Sequence, residues 1–202
     1  MPIVSQAKAI ADLEAHLPHL VNLVTQAWDD VECLPEQTRA IMTPRSRSSL
    51  VHDHMLSRAA SYAAKSDGVR YFERQLMHGL IFKGKYALRF KKLDDDGLSR
   101  NHPTTQVTEF RSQIGLEGID AAHHLEIGYV TNALGTSIQD VRLTCPAGRG
   151  NAWSVSVTGS TAKAVIVDIF DSVEPTEIEE AEIAPRKGSA DVLPFIKNKD
   201  AR

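Results

Sequence analysis

The stretch IFKGKYALRFKK, residues 81 to 92, predicts a β-hairpin, because Lys83-Gly84 separates two apolar segments and glycine tolerates the positive φ of a tight reversal. Successive side chains of a strand point to opposite faces, so the second strand has two different faces. Its apolar face carries Tyr86, Leu88 and Phe90, and its basic face carries Lys85, Arg89 and Lys91. The stretch holds five basic residues and no acidic one, within a chain of 202 residues and formal net charge -3.

The chain before the hairpin predicts two helices. In the first 28 residues apolar side chains recur at helical spacing. Pro18 interrupts this run and should kink or split the helix, since proline lacks an N–H and clashes with the preceding turn. The second helix should begin sharply, because Thr43 suits the N-cap and Pro44 suits the first helical position. We expect it to continue to about Lys65.

The chain after the hairpin predicts one more short helix and further strands. Residues 103–114 indicate a helix capped by Thr104 or Thr105, and residues 125–158 alternate as a three-strand antiparallel meander. The fold class is therefore α+β, with the N-terminal helices packed on an antiparallel β-sheet. We expect the core to include Trp28, Leu50, Met55, Tyr86, Leu88, Phe90 and Trp153.

The C-terminal part changes in composition. Residues 163–170, KAVIVDIF, are typical of another buried strand. Residues 174–182 then hold five glutamates and no lysine or arginine, and prolines punctuate the remainder. We interpret 1–171 as a single α+β domain and 172–202 as an acidic tail. Opposite charges on one chain raise the hypothesis that the tail, or a partner's acidic segment in its place, covers and restrains the basic strand. The alternative is a solvated tail that touches nothing.

Composition excludes several classes of protein. No apolar run approaches the roughly 18 residues that a membrane span requires, and the N-terminus lacks the pattern of a secretory signal. Cys33 and Cys145 are the only cysteines and lie far apart, which argues against a disulfide framework. The negative net charge argues against binding nucleic acid by bulk charge alone. We therefore expect a cytoplasmic protein that is not associated with a membrane.

The basic face of the strand, with Lys85, Arg89, Lys91 and the neighbouring Lys92, suits phosphate groups or a nucleic-acid backbone. No carboxylate occurs from residue 74 to residue 93, whereas a merely solvated face usually mixes both signs. The alternative is a charged outer face without a ligand, since lysines on an exposed strand discourage aggregation. Both interpretations remain open.

The second helix supplies candidate catalytic residues. Helical spacing places Arg45 and His52 on one side, where a histidine could transfer protons and an arginine could bind an anion. The alternative is the polar outer face of an amphipathic helix. A metal site is not predicted, because His123 and His124 point to opposite faces of a strand and only one can join Glu126. No cofactor can be assigned.

Three segments resemble a known bacterial family: RSRSSLVHDHM at 45–55, ALRFKKLDDDGLSRNHPTTQ at 87–106 and LEIGYVTNALGTSIQDVRLTCP at 125–146. Members of that family are encoded beside a regulator with a helix-turn-helix and an ImmA/IrrE-type metallopeptidase domain. The matching positions are Arg45, His52, Arg89, Lys91, Lys92, Asn101, Pro103, Thr104 and Gln106. His102 departs from the family, which tends to have an aromatic residue there.

The resemblance implies a two-gene toxin–antitoxin or phage-defence module, with the regulator as cognate partner and this chain as the effector that acts on a nucleic acid or nucleotide. The alternative is a non-enzymatic, antitoxin-like module that docks a partner protein. Independently, the helix predicted after residue 103 offers unpaired N–H groups to an anion. The full set of predicted anion-binding residues is Lys85, Arg89, Lys91, Lys92, Asn101, Thr104 and Gln106.

Overall fold

The computed structural model describes residues 3–74, 76–99 and 104–160. The described helices are α1 Gln6–Leu13, α2 Leu17–Glu32, α3 Glu36–Ala40, α4 Pro44–Lys65 and α5 Thr105–Arg111, with a final 3-10 turn at Thr158–Ser160. The described strands are β1 Val69–Arg74, β2 Met77–Phe82, β3 Tyr86–Leu93, β4 His123–Thr131, β5 Ile138–Ala147 and β6 Gly150–Ser156. The class is α+β, with most of the helical structure before the sheet, as predicted.

The helix boundaries follow from local chemistry. Pro18 lies in the first turn of α2, so the predicted helix is split into α1 and α2. Thr43 caps α4, because its side-chain oxygen accepts a hydrogen bond from the Ser46 N–H at 3.1 Å. The predicted start of α4 is thus confirmed. The short helix α3 was not predicted, since it has no buried residue and hence no apolar periodicity.

The described strands form one sheet in the order β1-β2-β3-β4-β5-β6. The predicted hairpin between β2 and β3 is confirmed, with positive φ at Lys83 (47°) and Gly84 (66°). The meander of β4, β5 and β6 is also confirmed. The sheet is mostly antiparallel, but β3 and β4 are parallel. A parallel pair needs a long crossover, and residues 94–122, which include α5, supply it.

The two faces of the sheet have different cores. Helices α2 and α4 cover the first face, where the side chains of Met55, Leu88, Phe90, Leu125 and Leu143 are fully buried. A smaller cluster on the second face consists of Phe72, Met77, Ile81, Ala87, Phe110, Leu116 and Ile119. Of the predicted core residues, Trp28, Met55, Tyr86, Leu88 and Phe90 are buried, while Leu50 and Trp153 are half-buried and pack against the core.

Residues 161–202 lie outside the described residues. They include the predicted strand at 163–170, the predicted acidic tail at 172–202 and the end of the predicted domain 1–171. The proposed contact between tail and basic strand falls there too. These interpretations stay predictions.

Candidate functional site

Both faces of β3 are buried, which corrects the prediction of an open basic face. Leu88 and Phe90 lie under the helices, as expected, but Arg89 on the opposite face is only 4% exposed. The reason is the crossover between β3 and β4, whose helix α5 packs on this second face. The guanidinium carbon of Arg89 lies 5.0 Å from the centre of the Phe110 ring, a cation–π contact. Lys91 is half-buried, and Lys85 is exposed.

Arg89 belongs to a buried group of charges, the inner cluster, formed with Arg111 and Glu126. The Glu126 side chain is fully buried, and its Oε2 accepts hydrogen bonds from Arg111 Nη1 and Ser99 Oγ, both at 2.9 Å. Its Oε1 lies 3.8 Å from Arg89 Nη1, too far for a hydrogen bond. Within the described residues, Arg89 Nη1 and Glu126 Oε1 have no hydrogen-bond partner. Two buried polar atoms thus face each other unsatisfied.

Arg111 also anchors the turn between β5 and β6. Its Nε donates to the Gly148 carbonyl at 3.0 Å, and its Nη2 donates to the Gly150 carbonyl at 2.9 Å. The same guanidinium therefore holds the turn and neutralises Glu126. This occupies its donors and leaves Arg89 as the cation of the inner cluster with unused hydrogen-bonding capacity.

His52 on α4 has a strongly perturbed environment. Burial, together with the charges of Lys91 and Arg89, lowers the pKa of His52 to about 4, although the nearby Asp53 carboxylate opposes this. Burial and the charge of Arg89 likewise lower the pKa of Lys91 to about 8, against the attraction of Glu126. At neutral pH His52 is therefore an uncharged acceptor, and Lys91 is mostly charged. Perturbed groups of this kind concentrate at functional sites.

These side chains lie where two strands separate. β3 pairs with β2 only over Tyr86–Leu88, whereas β2 remains paired with β1 along its whole length. Helix α4 contacts all three strands, and the charges of both His78 on β2 and Lys91 on β3 act on His52. His52 approaches from α4 on the first face of the sheet, whereas Arg89 and Lys91 lie on the second face, and the charges of both act on His52. We call these three residues the anion site. It unites residues from two separate groups of sequence candidates.

The remaining candidates lie elsewhere. Arg45 is exposed in the first turn of α4, two turns before His52. Lys85 forms an ion pair with Asp12 at 3.5 Å. Lys92 points toward the first face of the sheet, away from Lys91, and lines a groove described below. The structure therefore does not bring Arg45, Lys85 or Lys92 into the anion site.

Of the candidate residues near α5, the structure describes Thr104 and Gln106. Thr104 caps the helix, since its hydroxyl oxygen accepts the Val107 N–H at 3.3 Å. Gln106 is half-buried in the first turn of α5. Asn101 lies outside the described residues, and so do His102 and Pro103.

Three buried polar residues of this region were not predicted as parts of a site: Glu126 and Arg111, which lie beside Arg89, and Gln113. Glu126 was considered only as a metal ligand, but a lone carboxylate in the apolar strand LEIGYV is itself a signal for a buried charge pair. The sequence of the predicted helix did not indicate that the Arg111 side chain is buried or paired. Gln113 fixes His124, because its side-chain amide donates to the His124 carbonyl and accepts the His124 N–H, each at 2.8 Å.

The histidine pair was considered for metal binding. His124 stacks on Phe110 with ring centres 4.3 Å apart, and its Nδ1 lies 3.0 Å from the Phe110 carbonyl oxygen. Glu126 lies on the same face but is held by Arg111 and Ser99. Within the described ranges no three histidine, cysteine, aspartate or glutamate side chains are grouped as metal ligands.

A second concave surface, the groove, lies between α2, the first turn of α4 and the β4–β5 turn. It is a cavity of about 340 Å³ lined by Trp28, Val31, Arg39, Met42, Thr43, Pro44, Arg47, Ser48, Lys92 and residues 131–135. A wider cavity of about 700 Å³ continues from it and shares Ser48, Lys92 and residues 131–133. Asp94 and Asp95 lie at that far end. The groove is therefore basic near α4 and acidic beyond.

No protein-family model, curated protein or solved structure matches the chain. In the part of the chain that the structure describes, every helix is too short or too polar to span a bilayer.

Proposed function

We propose that the protein binds a phosphate-bearing ligand, a nucleotide or the end of a nucleic acid, at the anion site. The charge balance carries this proposal. Among the described residues, the buried guanidinium groups of Arg89 and Arg111 supply two cations, and Glu126 is the buried carboxylate that faces them both. An uncompensated buried charge is strongly unfavourable, so an excess of buried positive charge favours a bound anion.

The geometry suggests a role for each group. Arg89 Nη1, which has no hydrogen-bond partner among the described residues, is suited to donate to a phosphate oxygen. Lys91 adds a positive charge nearer the surface. Neutral His52 is suited to accept a hydrogen bond from a ligand hydroxyl.

The burial of Arg89 narrows the class of ligand. A long nucleic-acid backbone would need an exposed row of cations, and β3 does not offer one. A compact group such as a terminal phosphate or diphosphate needs only the few cations that this part of β3 supplies. We propose that binding of this group serves the effector component of a two-gene toxin–antitoxin or phage-defence module, a role that rests on the sequence resemblance alone.

Calorimetric titration with adenosine diphosphate tests the binding. Lys91→Gln should weaken the affinity about tenfold, roughly 1.4 kcal/mol, because it removes one charge at the phosphate. Lys85→Gln is the matched control, since it neutralises an exposed lysine immediately before the same strand. Arg89 is unsuitable for charge reversal, because a second buried carboxylate beside Glu126 would unfold the protein. Affinity should also fall as pH rises through about 8, where Lys91 loses its proton.

Equal affinity of Lys91→Gln and the unaltered protein would contradict the proposal, provided that circular dichroism shows both folded. Inorganic pyrophosphate as a second probe separates recognition of the phosphates from recognition of the nucleoside. The effector role is tested by expression in a bacterial host. Expression of the unaltered chain alone should arrest the growth of the host cells, and expression of Lys91→Gln should not. Cells that express the unaltered chain should grow again when the neighbouring gene is co-expressed.

A further inference from the structure

The groove presents aliphatic side chains to solvent, unlike the anion site. Leu134, which lines the groove from the β4–β5 turn, is 84% exposed. Ile41, the neighbour of the lining residue Met42 in the link between α3 and α4, is 83% exposed. Leu134 and Met42 both line the groove, above a floor formed by Trp28 and Val31. Exposed aliphatic groups that flank a concave surface are typical of sites that bind another protein.

The turn that carries Leu134 is held in one shape. Asn132 Oδ1 accepts the Thr136 N–H at 2.8 Å, and Asn132 Nδ2 donates to Thr136 Oγ1 at 2.9 Å. The Asn132 N–H donates to the Ser137 carbonyl at 3.0 Å. Leu134 is thus presented by a braced turn, so little conformational entropy is lost when a partner covers it.

The charge of the groove favours an acidic partner. Arg39, Arg47 and Lys92 line it near α4, and no carboxylate lines that part. Glu32 pairs with both arginines, which leaves a local net charge of +2 from three cations and one carboxylate. Arg47 also lies over the Trp28 ring, 4.5 Å from its centre, which fixes the guanidinium at the groove wall.

We propose that the groove binds an acidic peptide segment that carries aliphatic side chains, supplied by a partner protein. The aliphatic side chains cover Leu134 and Met42, and the carboxylates face Arg39, Arg47 and Lys92. An anionic lipid surface shares this chemistry, but a concave cavity between helices and a turn fits an inserted chain rather than a flat bilayer. The surface extends the proposed function, because it gives the protein a partner site beside its ligand site.

A fluorescein-labelled peptide of glutamate and isoleucine tests the proposal by anisotropy with the full-length protein. Binding should be saturable and should weaken with added salt, since the charges lie at the surface. Leu134→Asp should weaken it at least about tenfold by removing an apolar contact and adding repulsion. Leu76→Asp is the matched control, because Leu76 is 93% exposed in the β1–β2 turn, outside the groove.

Lys92→Glu should also weaken binding, whereas Arg149→Glu, an exposed residue of the β5–β6 turn, should not. Replacement of every isoleucine by serine, or every glutamate by glutamine, should abolish binding of the peptide. Unchanged binding by Leu134→Asp, or equal binding of the glutamine peptide, would overturn the proposal. Preferential binding to vesicles of anionic lipid, lost in Leu134→Asp, would overturn it in favour of a membrane.

The two proposals can fail separately. Leu134→Asp should leave the affinity for adenosine diphosphate unchanged, because Leu134 lines the groove and the groove lining includes none of His52, Arg89 and Lys91. Loss of peptide binding with intact nucleotide binding supports the groove as a partner surface. Loss of both in a Leu134→Asp variant that circular dichroism shows to be folded would mean that the two sites are one, and would overturn the proposal of a separate partner site.

Discussion

Glu126 is the residue on which the inner cluster depends. It is the fully buried carboxylate that faces both Arg89 and Arg111, and it accepts hydrogen bonds from Arg111 and Ser99. Glu126→Gln keeps the shape but removes the charge, so two buried guanidinium groups lose their counterion. We expect unfolding in urea to become easier by about 3–5 kcal/mol, the usual effect of breaking a buried pair from one side.

The control for this substitution is Glu117→Gln. Glu117 forms an ion pair with Arg74 at 3.5 Å, but its side chain is 95% exposed. Exposed pairs contribute about 0–1 kcal/mol, so this variant should unfold almost as the unaltered protein does. If both variants lose equally little stability, the inner cluster is not the electrostatic centre that its geometry indicates.

His52 makes the stability of the protein sensitive to acid. Its pKa falls from 6.5 to about 4 on folding, so between these pH values the unfolded chain binds a proton that the folded protein does not. Stability should therefore decline as pH falls from 6.5 to about 4. The imidazole is partly exposed, so we expect a loss of about 1–2 kcal/mol rather than the full value of the shift.

Urea unfolding at a series of pH values measures this effect. His52→Gln should have a shallower decline, while burial of His16 and His124 lowers the pKa of those rings too and maintains part of the slope. Proton NMR of the His52 ring gives the direct value. A titration midpoint near 6.5 would show that the ring is not desolvated as the structure indicates.

Among the elements, the pairing of β3 with β4 positions Lys91. A Cβ atom on Gly128 would lie 1.9 Å from the Lys91 carbonyl oxygen, so only glycine allows the two strands to approach. Gly128→Ala must push the strands apart, and we expect a destabilisation of about 1–3 kcal/mol. Affinity for adenosine diphosphate should fall as well, because Lys91 moves with β3.

Gly115→Ala is the matched control in the same urea titration. A Cβ atom there meets nothing within 4 Å, so the change should stay within about 0.5 kcal/mol. Equal stability of Gly128→Ala and Gly115→Ala would mean that the β3–β4 pair can relax without cost. The signal for this contact was present in the sequence, since a glycine inside a strand often marks close approach of another backbone.

The elements with local causes were predictable from sequence. The N-cap at Thr43, the break at Pro18 and the reversal at Gly84 each depend on neighbours in the chain, and each prediction is confirmed. The burial of Arg89 depends instead on α5, which folds back from residues 105–111 to cover the second face of β3. Alternation along one strand cannot reveal what a later segment will cover.

The candidate site also depends on contacts between distant segments, which the local sequence does not reveal. His52 and Lys91 were chosen for their chemistry, but they were assigned to separate helical and strand sites because they are far apart in sequence. The packing of α4 on the sheet, which lets the charge of Lys91 act on His52, is a tertiary feature. Arg111 was missed because its partners, Glu126 and the Gly148 carbonyl, belong to distant segments.

For the whole molecule, the question is whether helices and sheet unfold together. Trp28 in α2 and Trp153 in β6 pack against the same buried core. Trp28 meets Tyr129 of β4 with ring centres 5.5 Å apart. The Trp153 Nε1–H donates to the Val4 carbonyl at 2.8 Å, which ties the segment before α1 to β6. A shared core predicts one cooperative transition.

The two tryptophans allow a direct test, because each can be removed to leave the other as the single fluorescent reporter. Trp28→Phe reports on β6, and Trp153→Phe reports on α2. In each variant the fluorescence midpoint in urea should coincide with the midpoint from far-ultraviolet circular dichroism, although both variants will be less stable than the unaltered protein. Coincidence would support the predicted single domain for the described residues.

If Trp28 fluorescence changes at lower urea than the circular dichroism of the same variant, the helical layer leaves the sheet first. The anion site, which needs α4 against β3, would then be lost before the sheet unfolds, and binding of adenosine diphosphate should disappear in that first step.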